Sequence, residues 1–125
     1  MKRDMDLIRT ILLKLDADPE VDGAHSRAAI NLGIADYKSE EVNYHAAMLI
    51  EAGYLAGNTK RMDVVLVSKL TWQGHDFLDS IRDPKIWVRT KAGAEGAGGF
   101  TVDLLKDLAK GLVRKQIEEY TGVKL

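Results

Sequence analysis

The three histidines are the first residues that chemistry could recruit here, and their spacing gives it nothing to use. His25, His45 and His75 lie far apart in the chain, without the short His-x-x-x-His interval that sets two imidazoles on one metal. The 125 residues include no cysteine. Disulfide scaffolds, Fe–S clusters, thiolate-held zinc and cysteine nucleophiles are therefore excluded. No Gly-x-Ser-x-Gly elbow, catalytic carboxylate pair or histidine-based dyad occurs. The expectation is a protein that is not an enzyme and uses no cofactor or metal. Gly93-Ala94-Glu95-Gly96-Ala97-Gly98-Gly99 follows no strand and lacks the Gly-Lys-Ser/Thr ending of a phosphate cradle. It is expected to be a flexible connector.

The chemistry left over is recognition. Asn43, Tyr44 and Ala47 fall on the outer face of a helix expected to start at Ser39. An asparagine amide can pair bidentately with adenine, and a tyrosine hydroxyl can reach a phosphate. Ser39 is read as the helix cap, its hydroxyl accepting an orphan backbone N–H. Glu40 and Glu41 would repel phosphates, but as acids in the first turn they suit the helix dipole. Lys60 and Arg61 stand at the tip of the polar turn Gly57-Asn58-Thr59-Lys60-Arg61-Met62-Asp63, where a basic residue commonly meets a nucleic-acid backbone or minor groove. Lys2, Arg3 and Arg9 could add phosphate contacts, offset by Asp4 and Asp6.

Those side chains need a scaffold, and the composition allows one. Hydrophobic residues make up 46% and charged residues 30%, the profile of a globular chain with a single core. Lys plus Arg is 18, Asp plus Glu is 19, and the net charge is -1, which excludes a polybasic protein. No apolar run approaches a membrane span or the core of a signal peptide, so a cytoplasmic protein with no membrane partner is expected.

Leu7, Ile8, Ile11, Leu12 and Leu15 form a helical stripe over residues 4–16, closed by Pro19. Ile30, Leu32 and Ile34 alternate, which predicts a strand over 28–34. The helix from Ser39 has Val42, Ala46, Leu49 and Ile50 inward and ends at Gly53. Tyr54-Leu55-Ala56 and Val64–Leu70 then read as a hairpin around the polar turn. Thr71 caps a helix with Phe77, Leu78 and Ile81; Asp83-Pro84 begins another with Ile86 and Trp87. Thr101 caps a last helix with Leu105, Leu108 and Leu112, closed by Gly122.

Within this order, Val42-Asn43-Tyr44-His45-Ala46-Ala47-Met48-Leu49-Ile50-Glu51-Ala52-Gly53-Tyr54-Leu55 resembles the recognition helix of winged-helix repressors. It is most similar to the arsenic-repressor type, which reads Val-Ser-Arg-His-Leu-x-x-Leu-x-x-Ala-Gly-Leu-Val. Leu70-Thr71-Trp72-Gln73-Gly74-His75-Asp76-Phe77-Leu78 resembles that family's exit from the wing, Leu-Thr-x-x-Gly-x-x-x-Leu. The resemblance covers residues 39–82. It implies an α+β, mainly helical fold: a winged helix with a small antiparallel sheet over 1–82 and a C-terminal helical extension over 83–125. It implies a DNA-binding accessory or transcription-regulatory protein contacting double-stranded DNA through Ser39, Asn43, Tyr44, Ala47, Lys60 and Arg61. The alternative is a protein-interaction module on the same fold, and in either case a homodimer through the last helix is plausible. His45 stands where the repressor pattern often has a structural His. The sequence departs from the pattern before Ser39, where Ala35-Asp36-Tyr37-Lys38 leaves about one turn for the positioning helix.

A second resemblance spans nearly the whole chain. The opening Met1-Lys2-Arg3-Asp4-Met5-Asp6-Leu7-Ile8-Arg9, with Glu41–His45, Glu51-Ala52-Gly53, Leu70–Leu78 and Ile81-Arg82-Asp83, is similar to a family of small bacterial and phage proteins of unknown function. It implies no activity.

Overall fold

The computed structural model describes residues 1–61, 63–96 and 101–125. The chain is α+β and mainly helical, and it divides into two compact units, Met1–Leu78 and Asp79–Leu125. The sequence-based division at 82/83 falls at the end of a helix; the structural division falls inside that helix.

In the first unit, helix α1 (Met5–Ala17) begins because the Asp4 carboxylate accepts the Leu7 N–H at 3.1 Å. Its stripe of Leu7, Ile8, Ile11, Leu12 and Leu15 is buried. Each such side chain contributes roughly 1.5–3 kcal/mol on leaving water. Strand β1 is only Arg27–Ala28, and a single 3-10 turn, Ala29–Asn31, follows it.

The strand expected over 28–34 is therefore corrected. Beyond Ala28 the ladder has no partner strand to continue on. Ala29 N–H still reaches Val65 O at 2.9 Å, but the Val65 N–H is engaged by a side chain of the next helix. The chain instead turns through Gly33 (φ 71°) and Asp36 (φ 70°). No helix lies between this 3-10 turn and residue 39.

Helix α2 (Ser39–Glu51) ends through Ala52 and the left-handed Gly53 (φ 87°). Strands β2 (Leu55–Asn58) and β3 (Leu66–Leu70) pair antiparallel as a hairpin, with a register shift at Ala56/Gly57. β1 pairs with the other edge of β3, giving the order β1-β3-β2. Gly57 is required at the shift, because a Cβ there would run into the Leu66 carbonyl oxygen. Helix α3 (Trp72–Ile81) starts at Thr71, whose hydroxyl accepts the Gly74 N–H at 3.1 Å.

In the second unit, helix α4 (Pro84–Gly96) is capped by the Asp83 carboxylate, which accepts the Lys85 N–H at 2.8 Å. Helix α5 (Val102–Thr121) is capped by Thr101 and closed by left-handed Gly122. The connector expected over 93–99 is corrected for its first part: residues 93–96 are the last turn of α4. Gly93 packs against Leu108 of α5, where a Cβ would meet the leucine methyl at 3.4 Å. Gly93 is thus carried inside the helix despite its low propensity, in ordinary contact with α5. The rest of the expected connector lies outside the described residues. Among the described residues no helix is long and apolar enough to cross a membrane.

Candidate nucleic-acid interface

The outer face of α2 and the inner edge of the β2–β3 hairpin enclose a groove of about 570 Å³. From α2 it takes Ser39, Glu40, Asn43, Tyr44 and Ala47. From the hairpin side it takes Thr59, Arg61, Asp63 and Val65, and Met1 forms a further wall. The residues that the sequence singled out thus converge, all but Lys60, on one concavity. Lys60 is exposed on the hairpin, its backbone N–H held by the Asn58 side chain at 2.8 Å. The pattern gave no signal for Met1, Thr59, Asp63 or Val65, because only the folded hairpin brings them beside α2.

Two expected roles change. Ser39 is not the cap of α2: it is the first helical residue, and Lys38 occupies the cap position in extended conformation. The cap is made in reverse, the Glu41 carboxylate accepting the Lys38 N–H at 3.1 Å. Asn43 is not free to read a base edge. Its Nδ2 donates to Asp63 O at 2.7 Å, and its Oδ1 accepts the Val65 N–H at 3.3 Å. Carbonyl i and amide i+2 of an extended chain point the same way. The Asn43 amide therefore sits as a neighbouring peptide would, using both functions on the hairpin backbone.

Tyr44 is 42% exposed and Ala47 partly so, and with exposed Ser39 and Glu40 they make the accessible part of the α2 face. Arg61 stands 4.0 Å from Asp63, with both side chains mostly in solvent, so their attraction is weak.

Behind this face, His45 is 1% exposed. Its ring joins α2 to the start of α1, with Nε2 2.8 Å from the Asp4 nitrogen and Nδ1 2.7 Å from Glu41 O. Tyr37 donates its hydroxyl to the other Asp4 carboxylate oxygen at 3.0 Å. Burial, reinforced by that bond to Asp4, pushes the Tyr37 phenol up to about 12.

Acidic residues gather around the C-terminal end of α1, while both signs of charge occur at its start. Lys2 and Arg3 precede the helix at the groove end. Asp16, Asp18, Glu20 and Asp22 cluster around its far end, ~20 Å away for 13 residues. There the Glu20 N–H, and then the Arg27 guanidinium, hold the Asp18 carboxyl below its ordinary value. Bonds from the Ala24 and His25 N–H groups do the same for Asp22. His75 approaches Asp16 at 3.7 Å. Among the described residues no three His, Asp or Glu side chains are grouped as a metal would require.

The family model of hypothetical proteins DUF2513 matches residues 2–100. The chain belongs to the DUF2513 family. It is also 32% identical over 121 residues to an uncharacterized protein of Haemophilus influenzae (strain ATCC 51907 / DSM 11121 / KW20 / Rd). That alignment covers 94% of this chain and 99% of the relative. These matches agree with the whole-chain resemblance to an uncharacterised family of small proteins. No solved structure matches the chain.

Proposed function

We propose that this DUF2513 chain is a DNA-binding accessory or regulatory protein of winged-helix type. The carrying observation is the convergence of Ser39, Tyr44, Ala47 and Arg61 on one groove between α2 and the hairpin. The order α1, β1, turn, α2, β2, β3 fits the type, with the 3-10 turn standing where a positioning helix would be. Arg61 lines the groove beside α2, with Lys60 exposed next to it on the hairpin, and the acidic loop lies at the far end of α1. With Asn43 engaged by the hairpin, contact is mainly to phosphates and groove shape, and base discrimination is low.

The test is fluorescence anisotropy on a mixed-sequence 25-base-pair duplex over a series of salt concentrations. The expected result is binding at low salt with a log–log slope of about -3 to -4, for about four neutralised phosphates. No binding at low salt removes the reading.

A second reading has its own observation. Met1, Tyr44, Ala47 and Val65 give the groove apolar walls, and Glu40 and Asp63 put acid among them. That lining suits a protein segment with apolar anchors and basic flanks. Co-purification from a bacterial lysate tests it; recovery of nucleic acid alone counts against it. Under either reading we propose a homodimer through α5, where Ile117 and Tyr120 are 42% and 91% exposed. Sedimentation equilibrium at the monomer mass of 13.9 kDa would refute the dimer.

A further inference from the structure

We propose that the cleft between α4 and α5 is a binding site for a phosphate monoester. The site belongs to the second unit and does not depend on the reading of the α2 groove.

The cleft holds about 280 Å³, and its walls lie wholly within Asp79–Leu125. That is just under the roughly 300–1,000 Å³ of cavities that take drug-sized ligands, so the cleft suits one small charged group. Lys85 and Arg89 line it from α4, and Lys115 and Gln116 line it from α5. Lys85 and Arg89 are four residues apart, which sets two cations on one face of the helix. Lys115 brings a third from the facing wall. Ile86, 7% exposed, and half-buried Leu112 give the same cleft an apolar part. Apolar surface beside a charge displaces the water that would screen it.

The cleft does not neutralise its own cations. Two carboxylates share it, those of Asp83 and Glu119. Asp83 is committed to the backbone, its Oδ1 accepting the Lys85 N–H at 2.8 Å and the Ile86 N–H at 3.4 Å to cap α4. Glu119 follows Lys115 by four residues, a spacing at which helical charges can pair. Yet among the described residues neither acid is ion-paired with any of the three cations. Elsewhere arginines are taken up, Arg27 by Asp18 at 2.8 Å and Arg82 by Asp79 at 3.0 Å. Like charges gathered without a counter-ion repel one another, and an anion between them removes that cost.

The donors define the anion. Arg89 offers a planar fork that matches two phosphate oxygens, Lys85 and Lys115 offer point charges, and Gln116 offers an uncharged amide. A phosphate monoester carries a charge of about -1.5 to -2 at neutral pH and three accepting oxygens. The diester of a nucleic-acid backbone has less charge and fewer free oxygens to give such a set.

The test is an NMR amide titration of the full chain with inorganic phosphate and with glycerol 3-phosphate at fixed ionic strength. Saturable shifts should centre on Lys85, Arg89, Lys115 and Gln116, with half-saturation at about 1 mM or below. Arg89→Gln and Lys115→Gln should each weaken binding about tenfold. Glu119→Gln, which removes a repelling charge, should tighten it about twofold or more. Arg114→Gln removes an exposed charge outside the cleft and should change affinity by less than about twofold. All four positions are exposed, so folding should be little affected; if Arg89→Gln does not fold, Lys115→Gln decides. Vesicles bearing phosphatidate separate the sources of the monoester. Saturation without co-sedimentation assigns a soluble ligand, and co-sedimentation lost in Arg89→Gln assigns a lipid headgroup. Unsaturable or chain-wide shifts, or equal losses in Arg89→Gln and Arg114→Gln, overturn the proposal. So does a response of these amides to the mixed-sequence duplex but to neither small phosphate, which would make the cleft part of a nucleic-acid interface.

Discussion

Asn43 on α2 clasps the return strand of the hairpin, donating to the Asp63 carbonyl and accepting from the Val65 amide. Val65 is 5% exposed, so its N–H would have no good substitute partner. Asn43→Ala should cost about 1–3 kcal/mol. In a unit of this size that lowers the thermal midpoint by about 4 °C or more, checked by circular dichroism melting. Duplex affinity below the melting transition should fall as well, since the hairpin no longer holds Arg61 beside α2.

Gly74 and Gly53 make a matched pair for substitution. A Cβ on Gly74 would collide with the Tyr54 carbonyl oxygen, where Thr71 N–H also binds at 3.1 Å. Backbone cannot yield as a side-chain tip can, so Gly74→Ala should cost about 3 kcal/mol or more. Gly53 has open space around its Cβ position but a φ of 87°. Gly53→Ala should cost only about 1 kcal/mol, the strain of a left-handed L-residue. Urea titration of both variants measures the difference, and equal costs would contradict the packing described.

Lys60 and Arg61 are exposed at the hairpin and neither anchors the core. The double change to alanine should leave the melting temperature within about 2 °C. It should reduce the magnitude of the salt slope for duplex binding by about 1–2 units, one per lost phosphate contact. An unchanged slope would take the hairpin out of the interface.

Shifted groups of opposite sign contribute to the pH dependence of stability, with Asp22 acting in the same direction as Asp18. Tyr37 is raised from 10.0 to about 12, so its contribution is complete below about pH 10 and is lost as pH rises through about 12. Asp18 is lowered from 3.8, so its contribution is present above about pH 4 and is lost as pH falls through the folded value. Tyr37→Phe should therefore flatten the alkaline limb of a stability–pH curve, and Asp18→Asn the acid limb. Each substitution should leave the other limb alone, a separation that denaturant midpoints across pH would show.

Local signals in the sequence were read well where a single side chain closes a helix end. Thr71, Asp83, Thr101 and Gly122 stand at the ends expected, and the Leu7–Leu15 stripe is the buried face of α1. Ser39 is the local exception, since the Glu41 carboxylate closes the start of α2 on Lys38 one residue earlier; the other misreadings arise where a distant segment decides. Alternation over Ile30, Leu32 and Ile34 satisfies the strand pattern, yet β3 can offer β1 only Leu66 and Val67 as paired residues. Gly93 reads as a breaker, yet α4 continues through it beside Leu108 of α5. The site followed the same division. Tyr44 and Ala47 share a face by helical spacing alone. The engagement of Asn43 depends on Val65, which helix periodicity does not see.

The two tryptophans sit at opposite extremes, one in each unit: Trp72 is 84% exposed in the first and Trp87, beneath the Lys91 ammonium, is 4% exposed in the second. Unfolding changes the surroundings of Trp87 far more than those of Trp72. Indole emission therefore reports mainly on the α4–α5 pair, while far-ultraviolet ellipticity follows every helix. Coincident traces mean that the units melt together; divergent traces resolve two transitions without any added label.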